Sequence, residues 1–168
     1  MVKIEDLKRI NLLKDFPEHL LEIIANEAQL SIFGTGTQLM TFNEPVNTFF
    51  MLTMGQVALK RELTPKVDVI LENIQSGASF GSCSTIKDTA ATYTAVCQET
   101  CEVISLSGIR IKQLFKENDE LAYRMMFGVA QQYKRHLDTR AQMIIKTLDK
   151  NPELKKDVED LENLTLVI

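Results

Sequence analysis

The sequence is poor in histidine, with two in 168 residues, and in cysteine, with three. It also has no long hydrophobic run. Each shortage excludes a class of function. His19 and His136 stand about 117 positions apart, and neither neighbours a cysteine or serine in a nucleophile motif. A metal-dependent jelly-roll enzyme needs two or three histidines at strand spacing, and the predicted strands contain none. An enzyme is therefore not expected, nor a metal site. His19, after Pro17, reads as a helix-surface residue, and His136 in Lys134–Arg135–His136 as part of a solvated face. An odd number of cysteines fits a reducing cytosol better than a disulfide framework. No apolar run approaches about 18 residues, so no membrane span is expected. Lys3, Glu5, Asp6, Lys8 and Arg9 break up the N-terminal aliphatics, unlike a secretory signal. With 19 basic against 23 acidic residues, net −4, the balance argues against a dedicated nucleic-acid binder. The expected location is the cytoplasm.

What is present describes one ordinary domain, 45% hydrophobic and 25% charged. A chain of this length buries roughly 70% of its unfolded surface and needs no staples. Three zones follow one another. In the first, Lys3 to Ala28, Ile4, Leu7, Ile10 and Leu13 share one helix face, and Pro17 opens a second helix buried through Leu20, Leu21, Ile23, Ile24 and Ala28. The second changes period. Gln29–Phe33, Thr37–Phe42, Thr48–Thr53, Gln56–Leu63, Val67–Ile74, Ala90–Cys97 and Cys101–Leu106 are runs rich in β-branched and aromatic residues, separated by glycine, proline and asparagine. Alternation is visible in Gln38–Phe42 and in Val67–Leu71. Seven or eight short strands without long helices between them predict an antiparallel sandwich or jelly roll.

The third zone is helical. Ser107 is placed to cap a helix over Gly108–Glu117 whose Ile109, Leu114 and Phe115 face inward. A longer helix over 119–148 follows, with Asp119 and Glu120 at its positive end. Leu121, Met125, Val129, Tyr133 and Leu137 step by four along it, and Ile144 and Leu148 continue the stripe. About 30 helical residues span some 45 Å, longer than such a domain needs. Pairing with a second copy through Val129, Tyr133, Leu137 and Ile144 is expected, with packing along the sheet as the alternative. Met125 and Met126 read as packing at the root of this helix. Arg124, Lys134, Arg135, Arg140 and Lys146 make it basic, as a solvated face does. Asn151–Pro152 ends it; residues 149–168 read as a charged helical tail, with Thr165–Ile168 apolar. The fold class is mainly β with flanking helices: an antiparallel β-roll or jelly roll with N-terminal helices and a short, then a long, C-terminal helix.

That order, with Asn11–Phe16, Phe33–Gly36, Asn43–Pro45, Phe49–Val57 and Gly77–Gly81, resembles the cyclic-nucleotide-binding domain family over about Leu7 to Ile145. The first domain is accordingly drawn over residues 1–148. In that family Phe-Gly-Glu opens a phosphate-holding cassette, and Arg-Ala-Ala or Arg-Ser-Ala closes it. The resemblance implies that backbone N–H groups at a helix start take the phosphate oxygens, the arginine pairs with the phosphate, and the glutamate accepts from the ribose hydroxyl. Here the opening is Phe80–Gly81–Ser82–Cys83–Ser84 and the close is Thr89–Ala90–Ala91. Ser82 stands in place of the glutamate and Thr89 in place of the arginine, and the stretch between them is shorter. A lost charge-assisted hydrogen bond costs about 1.5–3 kcal/mol, roughly 10- to 150-fold in affinity. Lys87 is a point charge two residues away, offset by Asp88. The resemblance places the family's base contacts near Thr139 or Arg140.

The expected function is a regulatory or interaction module that has lost high-affinity cyclic-nucleotide binding and acts through dimerisation and a protein partner. The alternatives are a genuine cAMP or cGMP sensor and a redox or haem sensor through Cys83, Cys97 and Cys101. Cys97 and Cys101 flank a predicted hairpin turn; as buried small hydrophobes they would be inert, as a facing pair they could oxidise. The cofactor expectation is none certain, with cyclic nucleotide or another small molecule as the possible ligand. The family's transcription factors carry a helix-turn-helix domain after the long helix; about 20 residues remain here, so direct DNA regulation is not expected. Ligand or partner occupancy near Phe80–Thr92 is expected to move the Ser107–Glu117 helix and the root of the long one.

Overall fold

A computed structural model describes residues 2–64, 67–85 and 89–157. The chain divides into two compact units, residues 1–128 and 129–168.

The first unit begins with two helices, α1 (Ile4–Lys8) and α2 (Glu18–Glu27). Pro17 sits just outside α2, and its carbonyl accepts from the N–H groups of Leu20 and Leu21. Eight strands follow: β1 (Gln29–Phe33), β2 (Gln38–Met40), β3 (Thr48–Met54), β4 (Gln56–Thr64), β5 (Val67–Gln75), β6 (Ser79–Phe80), β7 (Thr94–Cys97) and β8 (Cys101–Ser107). They form two antiparallel sheets in the orders β1-β8-β3-β6 and β2-β7-β4-β5. Helices α3 (Gly108–Glu117) and α4 (Asp119–Lys150) complete the element order. The expected β-roll with flanking helices is what forms.

The sequence of β3 explains where the core sits. Phe49, Phe50, Met51 and Leu52 are consecutive and all buried. A half-buried strand alternates, whereas one covered on both faces reads as a continuous apolar run. Phe49 and Met51 join the core under the helices, with Leu7, Leu20, Ile24, Ile104 and Ile111. Phe50 and Leu52 point the other way, into the core between the sheets with Val57, Leu59, Phe80 and Val103. β8 divides likewise, Ile104 and Leu106 to one core, Cys101 and Val103 to the other. This shared sheet therefore carries both cores.

Several boundaries and faces differ from expectation. β2 and β7 are shorter than predicted, because Ala90 leaves the sheet to make an isolated bridge with Pro45. Ser79–Phe80 pairs with Met51 and Phe50 as a strand the pattern did not reveal. β5 is an edge strand with Val67, Val69 and Ile70 exposed, so its alternation does not mark a buried face. Ile109 does not face inward: it is 71% exposed, and Ile111 is buried in its stead. Two residues along a helix turn the side chain by about 200°, so the face set by Ile111 and Leu114 excludes Ile109. Ser107 occupies the N-cap position of α3 without a side-chain capping bond. Asn118 caps α4 instead, its Oδ1 accepting from the Leu121 N–H at 2.9 Å. Of the methionine pair, Met125 is buried and Met126 exposed.

In the second unit, helix α4 runs two residues past the expected end, to Lys150. Asn151 then anchors residues 152–157, which are helical as expected of the tail, its carbonyl accepting from the Lys155 N–H. The rest of that tail, including Thr165–Ile168, lies outside the described residues. No helix among those described is long and apolar enough to cross a membrane.

Candidate functional site

The cassette is held by backbone packing at two glycines. Gly81, just after β6, adopts φ +75°, and a Cβ there would meet the Thr48 carbonyl oxygen at 2.5 Å. Any other residue must both enter the left-handed region and displace β3. The 3-10 turn Ser82–Thr85 follows, closed by Ser84 N–H to Gly81 carbonyl and by the Thr85 hydroxyl donating to the Ser82 carbonyl. Gly108 meets this turn from the other side: its Cβ would lie 2.5 Å from the Ser84 carbonyl oxygen. The turn thus rests directly on the first residue of α3. Ser84 is buried, and its hydroxyl has no hydrogen-bond partner among the described residues.

The closing end is tied to the loop between β2 and β3. The Ala91 N–H donates to the Glu44 carbonyl, and the Ala91 carbonyl accepts from the Asn43 N–H, both at 2.8 Å. The Val46 N–H donates to the Thr89 carbonyl at 3.2 Å. The same loop reaches α3, because the Asn47 carbonyl accepts from the Gly108 N–H at 2.8 Å. In the sequence Asn43–Glu44–Pro45 reads as a break between strands. Asn43 at φ +65°, a conformation asparagine tolerates, is the local sign that the backbone must bend sharply there.

Thr89 is the informative residue. Its hydroxyl donates to the Cys83 carbonyl at 2.8 Å and so ties the two ends of the cassette together. Phe80 stacks on Phe50 with ring centroids 5.0 Å apart and anchors the opening. Phe80, Gly81, Ser82, Cys83, Ser84, Thr89, Ala90 and Ala91 all lie in this one segment, and none of them is charged. Lys87 and Asp88 lie outside the described residues. Backbone and hydroxyl groups are therefore the polar equipment of the described cassette.

Beside it is a cavity of about 320 Å³. Of its lining residues Met40, Phe50 and Ala91 are buried, and Glu44 and Asn47 are exposed. Ala91 is the one residue it shares with the candidate cassette set.

The cysteines fall differently from expectation. β7 and β8 belong to different sheets, so Cys97 and Cys101 flank a corner between sheets rather than a hairpin turn. Both are buried thiols, and the Cys101 Sγ lies 3.3 Å from the Gln56 carbonyl oxygen. Burial and the neighbouring Cys101 push the Cys97 thiol up to about 12. A protonated, inaccessible thiol is a poor nucleophile. Cys83 is part of the cassette and half-buried. Among the described residues no three His, Cys, Asp or Glu side chains gather as a metal site.

Helix α4 supplies the remaining candidates. Tyr133, Leu137 and Ile144 are exposed, whereas Val129 is buried. Val129 therefore lies off the exposed stripe, because the apolar spacing by four rotates gradually around the helix. Tyr123, Met126 and Phe127 extend the exposed stripe instead, with Tyr123 and Phe127 stacked at 6.0 Å. Thr139 and Arg140 are exposed on the same helix. His19 is a surface residue, its Nε2 3.6 Å from Glu120.

The sequence pattern of the cyclic nucleotide-binding domain matches residues 31–118. No curated protein matches the chain. Among solved structures, a candidate cyclic nucleotide-binding protein from Geobacter metallireducens GS-15 is 24% identical, with TM-score 0.71 over 82% of this chain and 99% of that one. The c-di-GMP responsive global regulator CLP of Xanthomonas campestris is 19% identical, with TM-score 0.68 over 86% of this chain and 72% of that one. The regulatory subunit of a cAMP-independent protein kinase A from Trypanosoma brucei is 13% identical, with TM-score 0.61 over 72% of this chain and 44% of that one. At these identities the likeness establishes the fold.

Proposed function

The chain belongs to the cyclic nucleotide-binding domain family, and from that premise we propose a non-catalytic, cytoplasmic regulatory module whose cassette no longer holds a cyclic nucleotide tightly. The observation that carries this reading is Thr89. It stands where the family's arginine closes the cassette, it is neutral, and its hydroxyl is already donated to the Cys83 carbonyl. A cyclic phosphate entering here meets N–H and O–H groups but no described cation. Ser82, in place of the glutamate, offers the ribose a hydroxyl in place of a carboxylate. The fold tolerates such change: of the similar structures, one is c-di-GMP responsive and another cAMP-independent.

The module acts as a dimer through α4 and passes its state to a protein partner. Exposed Tyr123, Met126, Tyr133, Leu137 and Ile144 follow the three-and-four spacing of a coiled-coil seam. Within the first unit, the cassette turn rests on Gly108, so a ligand that displaces Ser84 also displaces the start of α3.

Calorimetry with cAMP and cGMP tests the cassette. Dissociation constants weaker than about 10 µM are expected for both. The double variant Ser82→Glu, Thr89→Arg should bind roughly 10- to 150-fold more tightly, the worth of the restored charge-assisted bonds. A wild-type constant below about 10 µM overturns the reading in favour of a genuine nucleotide sensor.

A further inference from the structure

The described cassette has no cation of its own, but β4 brings one to the loop that closes it. Val57 and Leu59 turn into the core between the sheets, and Arg61 continues that side of the strand two residues on. Pairing between β4 and β7 stops at Lys60 and Thr94. Just beyond it the Arg61 guanidinium lies over the Phe42 ring, 4.5 Å from its centroid. Phe42 is fixed in turn. Its N–H donates to the Thr94 hydroxyl oxygen at 3.0 Å, and the N–H of the next residue, Asn43, donates to the Ala91 carbonyl. The arginine is therefore stacked on the loop to which the end of the cassette is bonded.

Stacking occupies one face of a guanidinium and leaves its in-plane N–H groups to bind a partner. Among the described residues Arg61 makes no ion pair, whereas its neighbour Lys60 is held by Asp68 at 2.7 Å. The flanks of Arg61 are apolar and open. Phe42 is 41% exposed, and Val69, directly opposite Arg61 in the β4–β5 register, is 36% exposed. Residues so paired share a face. One fixed cation balances one negative charge, and exposed hydrocarbon beside it favours a weakly hydrated monoanion over a phosphate dianion.

We propose that Arg61, set on Phe42, binds the carboxylate of a small hydrophobic acid whose hydrocarbon body covers Phe42 and Val69. This rests on the reading that the cassette has given up its own cation, and it names the class of ligand that the altered site takes. The bond from Asn43 to Ala91 carries the presence of that ligand to the cassette.

Titration of the full chain with benzoate and with hexanoate, followed by amide and arginine side-chain NMR, tests the site. Saturable shifts are expected at the Arg61 Nε–H and at the Phe42, Asn43 and Val69 amides, with dissociation constants of about 0.1–1 mM for ligands of this size. Benzylammonium and inorganic phosphate should leave these signals unmoved. Arg61→Gln keeps the fold, because the side chain is exposed, and should weaken benzoate about five- to tenfold. Absence of saturable shifts, equal benzoate affinity in Arg61→Gln, or benzylammonium bound as tightly as benzoate would each overturn the assignment. Phosphate bound more tightly than benzoate would overturn the choice of a hydrophobic monoanion. Calorimetry with cAMP keeps the two readings apart: a constant below about 10 µM overturns the loss of nucleotide binding, while the benzoate titrations still decide the role of Arg61.

Discussion

Strand β3 and the distal half of α4 are both rich in large apolar residues, yet they end in opposite environments. In β3 four consecutive apolar side chains are buried, two in each core. In α4 Tyr133, Leu137, Met143, Ile144 and Ile145 are all exposed. The difference shows that apolar content has two uses in this chain. In β3 it holds the domain together; in α4 it lies at the surface of the described chain.

The sharpest way to break that comparison is to remove one side chain from β3. Phe49 is fully buried against the helical core. Phe49→Ala should cost about 3–5 kcal/mol, the sum of lost transfer energy and the cavity left behind. Urea unfolding followed by far-ultraviolet circular dichroism reads this directly. A loss under about 1 kcal/mol would mean that β3 is not the shared wall of the two cores.

The strands themselves were legible because turn residues punctuate them: Gly34, Gly55 and Gly77 each stand within two residues of a strand's end. The doubled burial of β3 was not, since a continuous run such as Phe49–Leu52 fits a buried strand or a buried helix segment equally. β5 misled for the converse reason. Its Val67–Leu71 alternation is genuine, but alternation cannot tell an edge strand from one with a covered face. In the cassette, Ser82 and Thr89 could be read as substitutions, because a local motif defines them. The Thr89–Cys83 bond and the clamp from Glu44 to Ala91 could not, since they depend on residues brought together by the fold. The four-residue spacing of Cys97 and Cys101 carried the same ambiguity, serving a hairpin and a corner between sheets equally well.

A change on the other side of the comparison should be nearly silent in stability and large in assembly. Leu137→Glu places a charge on the exposed stripe of α4, where a surface substitution shifts stability by no more than about 0.5 kcal/mol. If that stripe is a seam between two copies, the buried charge should shift sedimentation at low micromolar concentration from dimer to monomer. A wild-type protein already monomeric there, or a variant that stays dimeric, would assign the stripe to something other than self-association.

The smallest effect belongs to the surface of the helical layer in the first unit, where neither use of apolar residues applies. Arg110 on α3 bonds to Glu27 at the end of α2, with Nη2 to Oε1 at 2.8 Å, and its Nη1 reaches Glu117 at 3.2 Å. The hydrogen bond from Arg110 holds the Glu27 carboxyl below its ordinary 4.5, and the arginine in turn is held still more firmly protonated. The sign follows from proton counting: at acidic pH the unfolded chain binds a proton at Glu27 that the folded chain resists. The contribution is therefore fully present above the ordinary value and fades as pH falls through the lowered one. Glu27→Gln should leave the urea midpoint near neutral pH slightly reduced and should flatten its decline as pH falls through the ordinary 4.5 and below. Parallel declines in the two proteins would show that the pair is no tighter in the folded state than in the unfolded chain. The link between α2 and α3 would then rest on the apolar core alone, with Ile24, Ile111 and Leu114 as its carriers.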